Sequence, residues 1–237
     1  MIAVLTFNKG VLSRTKRFNP DYIYTDSQVS FWGIDEVVLL DVTRGGGYRE
    51  EFLETALRIA DDCFAPTTIG GGIRSVEDAK ELFRHFGADK VSVNTGALER
   101  PELITELAEK YGSQSVVLSI DVKDGEVYSD CGRGSTGRTA VSWAMEGAMR
   151  GAGEILVTSI VRDGSLMGYD LPLCEDVASA VSVPTLIAGG AGNWQHFVDG
   201  FEAGASGVCA TNIYHFTQSS IQAAKTHMKE SGVPTRL

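Results

Sequence analysis

Pro66-Thr-Thr-Ile-Gly-Gly-Gly, with Gly87-Ala-Asp-Lys-Val downstream of it, returns in the second half of the chain as Pro184-Thr-Leu-Ile-Ala-Gly-Gly with Gly204-Ala-Ser-Gly-Val. Each copy is a β-branched run that ends on glycines and leads through a helical stretch into another apolar run. Gly33-Ile-Asp-Glu-Val-Val-Leu and Gly151-Ala-Gly-Glu-Ile-Leu-Val repeat at about the same offset, roughly half the chain. A repeat on this scale means two homologous halves of four units each. One half leaves strand edges open, and two halves close them into a barrel.

Working outward, eight apolar runs read as strands: Ile2 to Phe7, Glu36 to Asp41, Pro66 to Ile69, Lys90 to Asn94, Val116 to Asp121, Glu154 to Ser159, Pro184 to Ala188 and Gly207 to Thr211. Helical patterns lie between them. In Ser75 to Phe86, for example, Val76, Ala79, Leu82 and Phe83 share one face, Ser75 can cap the start and Asp78 follows three residues on. Strand alternating with helix implies parallel strands. The expected fold is α/β, a (βα)8 TIM barrel built from two homologous half-barrels, with residues 1–237 as one domain. Two polar stretches read as loops after the first and fifth runs. Gly132 to Thr139 is too polar and flexible for a helix or core strand. Asn8 to Tyr24 carries Lys9, Arg14, Lys16 and Arg17 and reads as a mobile lid over an anionic ligand.

A formal charge of −10 argues against nucleic acid and anionic membrane as partners, since both require a basic surface. The amino terminus lacks the order of a signal peptide and the chain has no apolar run long enough to span a bilayer, so a soluble cytoplasmic protein is expected. Cys63, Cys131, Cys174 and Cys209 show no metal-ligand spacing. They predict reduced thiols and no metal, and no other cofactor is implied. Cys63 and Cys209 read as packing residues.

In such a barrel, ligands collect where the strands end. Gly70-Gly71-Gly72 with Asn94-Thr95 forms one candidate phosphate cradle, in which Gly72, Asn94 and Thr95 supply the donors. Its repeat comprises Gly189-Gly190, Thr211-Asn212 and Asp163-Gly164. Two cradles facing each other across one mouth suit a small molecule phosphorylated at both ends.

Thr68-Ile-Gly-Gly-Gly-Ile, Gly87-Ala-Asp-Lys-Val-Ser-Val-Asn-Thr, Tyr111-Gly-Ser-Gln-Ser-Val-Val, Gly151-Ala-Gly-Glu-Ile-Leu, Arg162-Asp-Gly with Gly168-Tyr-Asp, and Ala188-Gly-Gly-Ala-Gly together resemble the cyclase subunit family of imidazole glycerol phosphate synthase, the HisF type. The resemblance spans nearly the whole chain. It implies a barrel that takes ammonia from a HisH-like glutaminase subunit at the amino-terminal face and passes it to the opposite mouth. By position Glu36, Lys90 and Glu154 match the family's charged gate, whose arginine would precede Met1, and Asp89 matches a residue of the glutaminase interface.

The resemblance also implies two catalytic aspartates, one ending the first strand and one ending the fifth. Asp121 is the second of these, but Thr6 stands where the first belongs. The internal repeat agrees independently, since aligning Lys9-Gly10 with Asp124-Gly125 sets Thr6 opposite Asp121. A threonine hydroxyl cannot replace a carboxylate base near neutral pH. Arg14 replaces the family's lysine on the first loop and completes the candidate catalytic set. The missing aspartate, with Thr15-Lys-Arg-Phe-Asn-Pro-Asp-Tyr and Cys63-Phe-Ala-Pro, resembles the paralogous branch that serves acetamidino modification of surface-polysaccharide or nonulosonic-acid sugars. An ATP-dependent sugar amidotransferase is the further partner this branch implies. The alternative is a genuine cyclase subunit of histidine biosynthesis, and a noncatalytic scaffold for the glutaminase is a third reading.

Overall fold

The computed structural model describes residues 1–23, 33–45, 47–211 and 220–236. The expectations for Asn212 and for the end of the first loop at Tyr24 lie outside them. The chain runs β1 (Ile2–Asn8), β2 (Val11–Lys16), β3 (Asn19–Ile23), β4 (Glu36–Asp41), α1 (Arg49–Asp62), β5 (Thr67–Gly70), α2 (Val76–His85), β6 (Lys90–Val93), α3 (Thr95–Glu99), α4 (Glu102–Tyr111), β7 (Val116–Lys123), β8 (Glu126–Ser129), β9 (Gly134–Thr139), α5 (Ala140–Met149), β10 (Glu154–Ser159), α6 (Leu171–Ala180), β11 (Thr185–Ala188), α7 (Trp194–Glu202), β12 (Gly207–Ala210) and α8 (Ser220–Glu230).

Eight of the strands pair in parallel in the order β1, β4, β5, β6, β7, β10, β11 and β12, and β12 returns to β1 to close the ring. These are the eight apolar runs of the sequence, so the fold is a TIM barrel. The inner core lies along the axis, where Ile2, Val4, Val38, Val117, Leu156, Leu186, Ala188 and Cys209 pack together. A larger outer core lies between strands and helices and includes Leu39, Phe52, Ile69, Leu82, Leu118 and Trp143. α2 begins as its sequence predicts: the Ser75 hydroxyl accepts the Asp78 amide while the Asp78 carboxylate accepts the Ser75 amide.

Both segments expected to be loops are instead hairpins. β2 and β3 form an antiparallel pair after β1, and β8 and β9 form another after β7. Each hairpin starts at a two-residue turn with positive φ at both positions: Lys9 (54°) and Gly10 (73°), then Asp124 (53°) and Gly125 (82°). This is the turn that matches the twist of paired strands. The half-barrel duplication therefore extends into the hairpins. Gly134–Thr139 escapes a reading based on apolar runs because it pairs at the edge of a ribbon with alternate residues exposed, where small polar side chains are tolerated. The β2–β3 hairpin is docked rather than loose, with Arg17 N–H donating to the Asp163 carbonyl at 3.1 Å. Of the two cysteines read as packing residues, Cys209 is buried and Cys63 is only half-buried.

Phe52 is fully buried and meets Phe7 edge to face at 5.3 Å between ring centroids. Phe52→Ala is expected to lower stability by about 3–5 kcal/mol, against about 1 kcal/mol for Ser75→Ala at the helix cap. Urea denaturation of the two variants should show midpoints ordered in that way, and equal losses would contradict this account of the core.

Candidate functional site

Successive residues of a strand face opposite sides of the sheet, so every barrel strand sends alternate side chains to the axis at fixed heights. At the amino-terminal end the first residues of β4, β6 and β10 meet there. Lys90 Nζ donates to both Glu36 carboxylate oxygens at 3.0 Å and to Glu154 Oε1 at 2.7 Å, and Thr68 Oγ1 donates to Glu36 Oε1 at 3.1 Å. Burial opposes the charge on Lys90, but its bonds to Glu154 and Glu36 prevail and raise its pKa. One cation cannot fully compensate two carboxylates, so burial, aided by the charge of Glu154, lifts the pKa of Glu36 despite the opposing pull of Lys90. Asp89, next in sequence to Lys90, is exposed, and its carboxylate accepts the Thr67 amide at 2.8 Å.

Above this ring the axis is apolar. Ile2, Val38, Val117 and Leu186 come first, followed by Val4, Leu40, Leu156, Ala188 and Cys209. These last five already line a cavity of about 500 Å³ that opens where the strands end. Higher in the same cavity stand the hydroxyls of Thr6, Ser92, Ser119 and Thr158, together with Asp121.

Asp121 is 9% exposed and accepts a hydrogen bond from Asn94 Nδ2 at 2.7 Å. Burial, reinforced by the negative charge of Asp163, pushes its pKa up to about 7, with Asn94 opposing. A carboxyl that titrates there can both hold and release a proton near neutrality, as acid–base chemistry requires. Thr6 and Asp121 sit on β1 and β7, four strands apart in the ring of eight, and so face each other across the axis. Thr6 Oγ1 donates to the Ser13 carbonyl at 2.5 Å, which commits its proton to the β1–β2 hairpin.

Both glycine cradles are present at the mouth. Gly71 and Gly72 have φ of 100° and 69°, and Gly189 and Gly190 have 88° and 110°. A Cβ at Gly71 would strike the Asp41 carbonyl and one at Gly190 the Gly168 carbonyl, so both positions require glycine. Thr95, Asp163, Gly164 and Thr211 line the same cavity. Several of these residues also have internal work. Thr95 Oγ1 accepts the Asp130 amide at 2.9 Å and ties down the β8–β9 turn. Asp163 Oδ2 accepts the Phe18 amide at 3.0 Å, which seats the tip of the β2–β3 hairpin. Burial raises the Asp163 pKa against the pull of Phe18, Thr15 and Arg14. Arg14 lines the cavity and pairs with Asp21 across its own hairpin at 3.1 Å.

Sequence reading missed Ser92, Ser119 and Thr158, although each lies on the inward face of its strand, where a period of two from Asn94 or Asp121 would have placed the first two. It also missed Arg49, Arg74, Cys131 and Arg133, all of which line the cavity. Arg49 opens α1 and the other three come from loops and turns, where no periodicity announces a direction.

Comparison with known proteins is consistent across the chain. The family model described as histidine biosynthesis protein matches residues 3–220. A relative from Chloroherpeton thalassium is 46% identical over 208 residues, covering 86% of this chain and 82% of its own. One from Pyrobaculum aerophilum is 47% identical over 209 residues with the same coverage. Another from Thermococcus gammatolerans is 42% identical over 233 residues, covering 97% of this chain and 92% of its own. All three are named imidazole glycerol phosphate synthase subunit HisF.

The raised pKa of Asp121 has a consequence for stability. Between its ordinary value of 3.8 and about 7 the folded protein keeps a proton that the unfolded chain releases, so this residue makes the fold less stable as pH rises through that window. Asp121→Asn should therefore raise the melting temperature at pH 8 by about 3 °C or more and change it little at pH 4. An equal shift at both pH values would show that Asp121 does not titrate near neutrality.

Proposed function

The chain belongs to the histidine biosynthesis protein family, and from that premise we propose that it is the ammonia-accepting barrel of a glutamine-dependent complex in the cytoplasm, with cyclisation to imidazole glycerol phosphate as its reaction. One observation carries the reading. The charged ring of Glu36, Lys90 and Glu154, the apolar axis and the Asp121 cavity lie in sequence along a single barrel. Such an axis excludes charged ammonium more strongly than neutral ammonia. Glu36, Lys90 and Glu154 act as the gate, the exposed Asp89 lies on the face that receives a HisH-like glutaminase, and the paired cradles hold the two phosphates of the substrate. The names of the relatives support both the reaction and the status of subunit. Asp121 exchanges protons on one side of the substrate, while Thr6 and Arg14 orient it from the other.

A second reading is favoured by Thr6. Cyclisation of the family's kind uses two carboxylates, and losing one general acid or base costs about 100- to 10,000-fold in rate. A barrel that only delivers ammonia needs neither. In this reading the ammonia leaves for a sugar acceptor, converted to an acetamidino group by an ATP-dependent amidotransferase bound to the complex.

The purified chain, the bis-phosphorylated ribulosyl aminoimidazole carboxamide substrate and saturating ammonium at alkaline pH separate the two. The cyclase reading expects slow turnover, raised about 100-fold or more by Thr6→Asp. No turnover by either folded protein would overturn it in favour of ammonia delivery to another acceptor.

A further inference from the structure

The charged ring of Glu36, Lys90 and Glu154 opens onto a face that carries unusually exposed apolar groups. Among the described residues, the two most exposed large apolar side chains are Phe64, at 104%, and Met149, at 80%. Phe64 lies just before β5, between the strands that begin with Glu36 and Lys90, and Met149 ends α5 just ahead of β10, which begins with Glu154. Both therefore stand at the amino-terminal end of the barrel, beside the ring. The backbone under Phe64 is fixed. The Cys63 amide donates to the Ala60 carbonyl at 3.3 Å, and the Pro66 carbonyl accepts the Val37 amide at 3.0 Å. Between them the Ala65 carbonyl accepts both the Thr67 hydroxyl at 3.3 Å and the Cys63 thiol at 3.7 Å. Pro66 restricts its own φ and the conformation of Ala65. An aromatic ring held in water by so constrained a loop is ordered before any partner arrives, which lowers the entropy lost on binding.

The charges next to this loop are also set against local stability. α1 ends on the exposed Asp61 and Asp62, with no basic residue in its last turn. Carboxylates there oppose the helix dipole, whereas α2 ends on the favourable Arg84 and His85. The loop from α2 to β6 packs on the end of α1, since a Cβ at Gly87 would meet the Ala60 side chain at 3.2 Å. That loop brings in the exposed Asp89, whose carboxylate accepts the Thr67 amide. A fixed aromatic bordered by carboxylates has the form of an interface anchor with a polar rim. Its place beside the ring indicates what covers it. Ammonia in neutral water is almost wholly ammonium, and an apolar axis favours the neutral molecule, so the source of ammonia has to be pressed against the ring with water excluded.

We propose that Phe64 anchors the glutaminase: its ring enters an apolar pocket of that subunit, Met149 gives a second, lesser apolar contact, and Asp61, Asp62 and Asp89 meet cations at the rim of the pocket. The inference rests on the reading of this barrel as an acceptor of ammonia. It goes further by assigning most of the binding energy to one residue and by defining the partner surface as an apolar pocket bordered by lysine or arginine. A ring of this size takes about 150–250 Å² out of water when it is buried, and aromatic anchors of that kind dominate interfaces whose other contacts are nearly neutral.

Calorimetric titration of the chain with the HisH-like glutaminase subunit from the same organism tests it, alongside sedimentation of the chain alone. Phe64→Ala should weaken the complex about 30-fold or more and Met149→Ala less than about threefold, while Met167→Ala at the opposite mouth should leave the affinity unchanged. All three side chains are exposed, so the melting temperatures should stay close to that of the wild type. Wild-type affinity in Phe64→Ala would overturn the anchor and leave the ammonia-accepting barrel standing. No complex with the folded wild-type chain would overturn that reading, and the anchor with it. A chain that sediments alone as a dimer, and as a monomer after Phe64→Asp, would assign Phe64 to a contact between copies and overturn the glutaminase as its occupant.

Discussion

A closed ring of parallel strands lets each strand send only every second side chain to the axis, and at a height set by its register with its neighbours. In this protein that constraint decides nearly everything of functional interest. Because Ile2 is level with Glu36, and Thr68 with Lys90, the strand starts deliver carboxylate, hydroxyl and ammonium to one place instead of scattering them over a floor. Two residues higher, the same strands can supply only Val38, Gly70 and Ser92. A single-residue slip in any one strand would turn its contribution into the outer core. The ion pairs at the base, the apolar axis and Asp121 at the top are therefore consequences of one register.

Duplication supplies the second ordering principle. The two halves agree in strand pattern, in terminal glycines and in the positive-φ turns at Lys9-Gly10 and Asp124-Gly125 that launch matching hairpins. Where the halves agree, architecture explains them: glycines at the strand ends lie where a side chain would collide with a neighbouring carbonyl. Where they differ, chemistry has room to act. Thr6 against Asp121 is such a difference. A symmetric scaffold thus presents an asymmetric pair of side chains across its mouth.

The parts of this design differ in how far they can be read from sequence. The eight barrel strands are legible because β-branched runs ending on glycine have few alternative meanings, and the Ser75 cap is legible because its partner lies only three residues away. The hairpins are not. Gly134–Thr139 pairs through its backbone and keeps one face exposed, so its composition resembles that of a loop. The placement of candidate residues is legible where strand termini carry them, as with Asp121, Asn94 and Glu36, since period and position fix direction. It is illegible where direction depends on a tertiary approach. Nothing in the residues around Arg49 says that it reaches back to the Gly71 carbonyl, and nothing near Asn94 says that its amide will hold Asp121 rather than a phosphate.

A hydroxyl rather than a carboxylate at Thr6 bears on more than one pKa. A second carboxylate facing Asp121 across the mouth would add to the repulsion that Asp163 already exerts, and would push Asp121 further towards its neutral form. With Thr6 in place, the ionisation of Asp121 is set by burial, Asp163 and Asn94 alone. The hydroxyl also spends its proton on the Ser13 carbonyl, so towards the cavity it offers lone pairs rather than a donor. Ser92, Ser119 and Thr158 line the same cavity, and with Thr6 they replace a charged approach to the substrate with a polar, uncharged one. Neutral ammonia can donate to and accept from such groups without leaving a buried charge behind. On the proposed function, a hydroxyl at Thr6 therefore leaves the passage of ammonia unaffected and places the acid–base work on Asp121 alone.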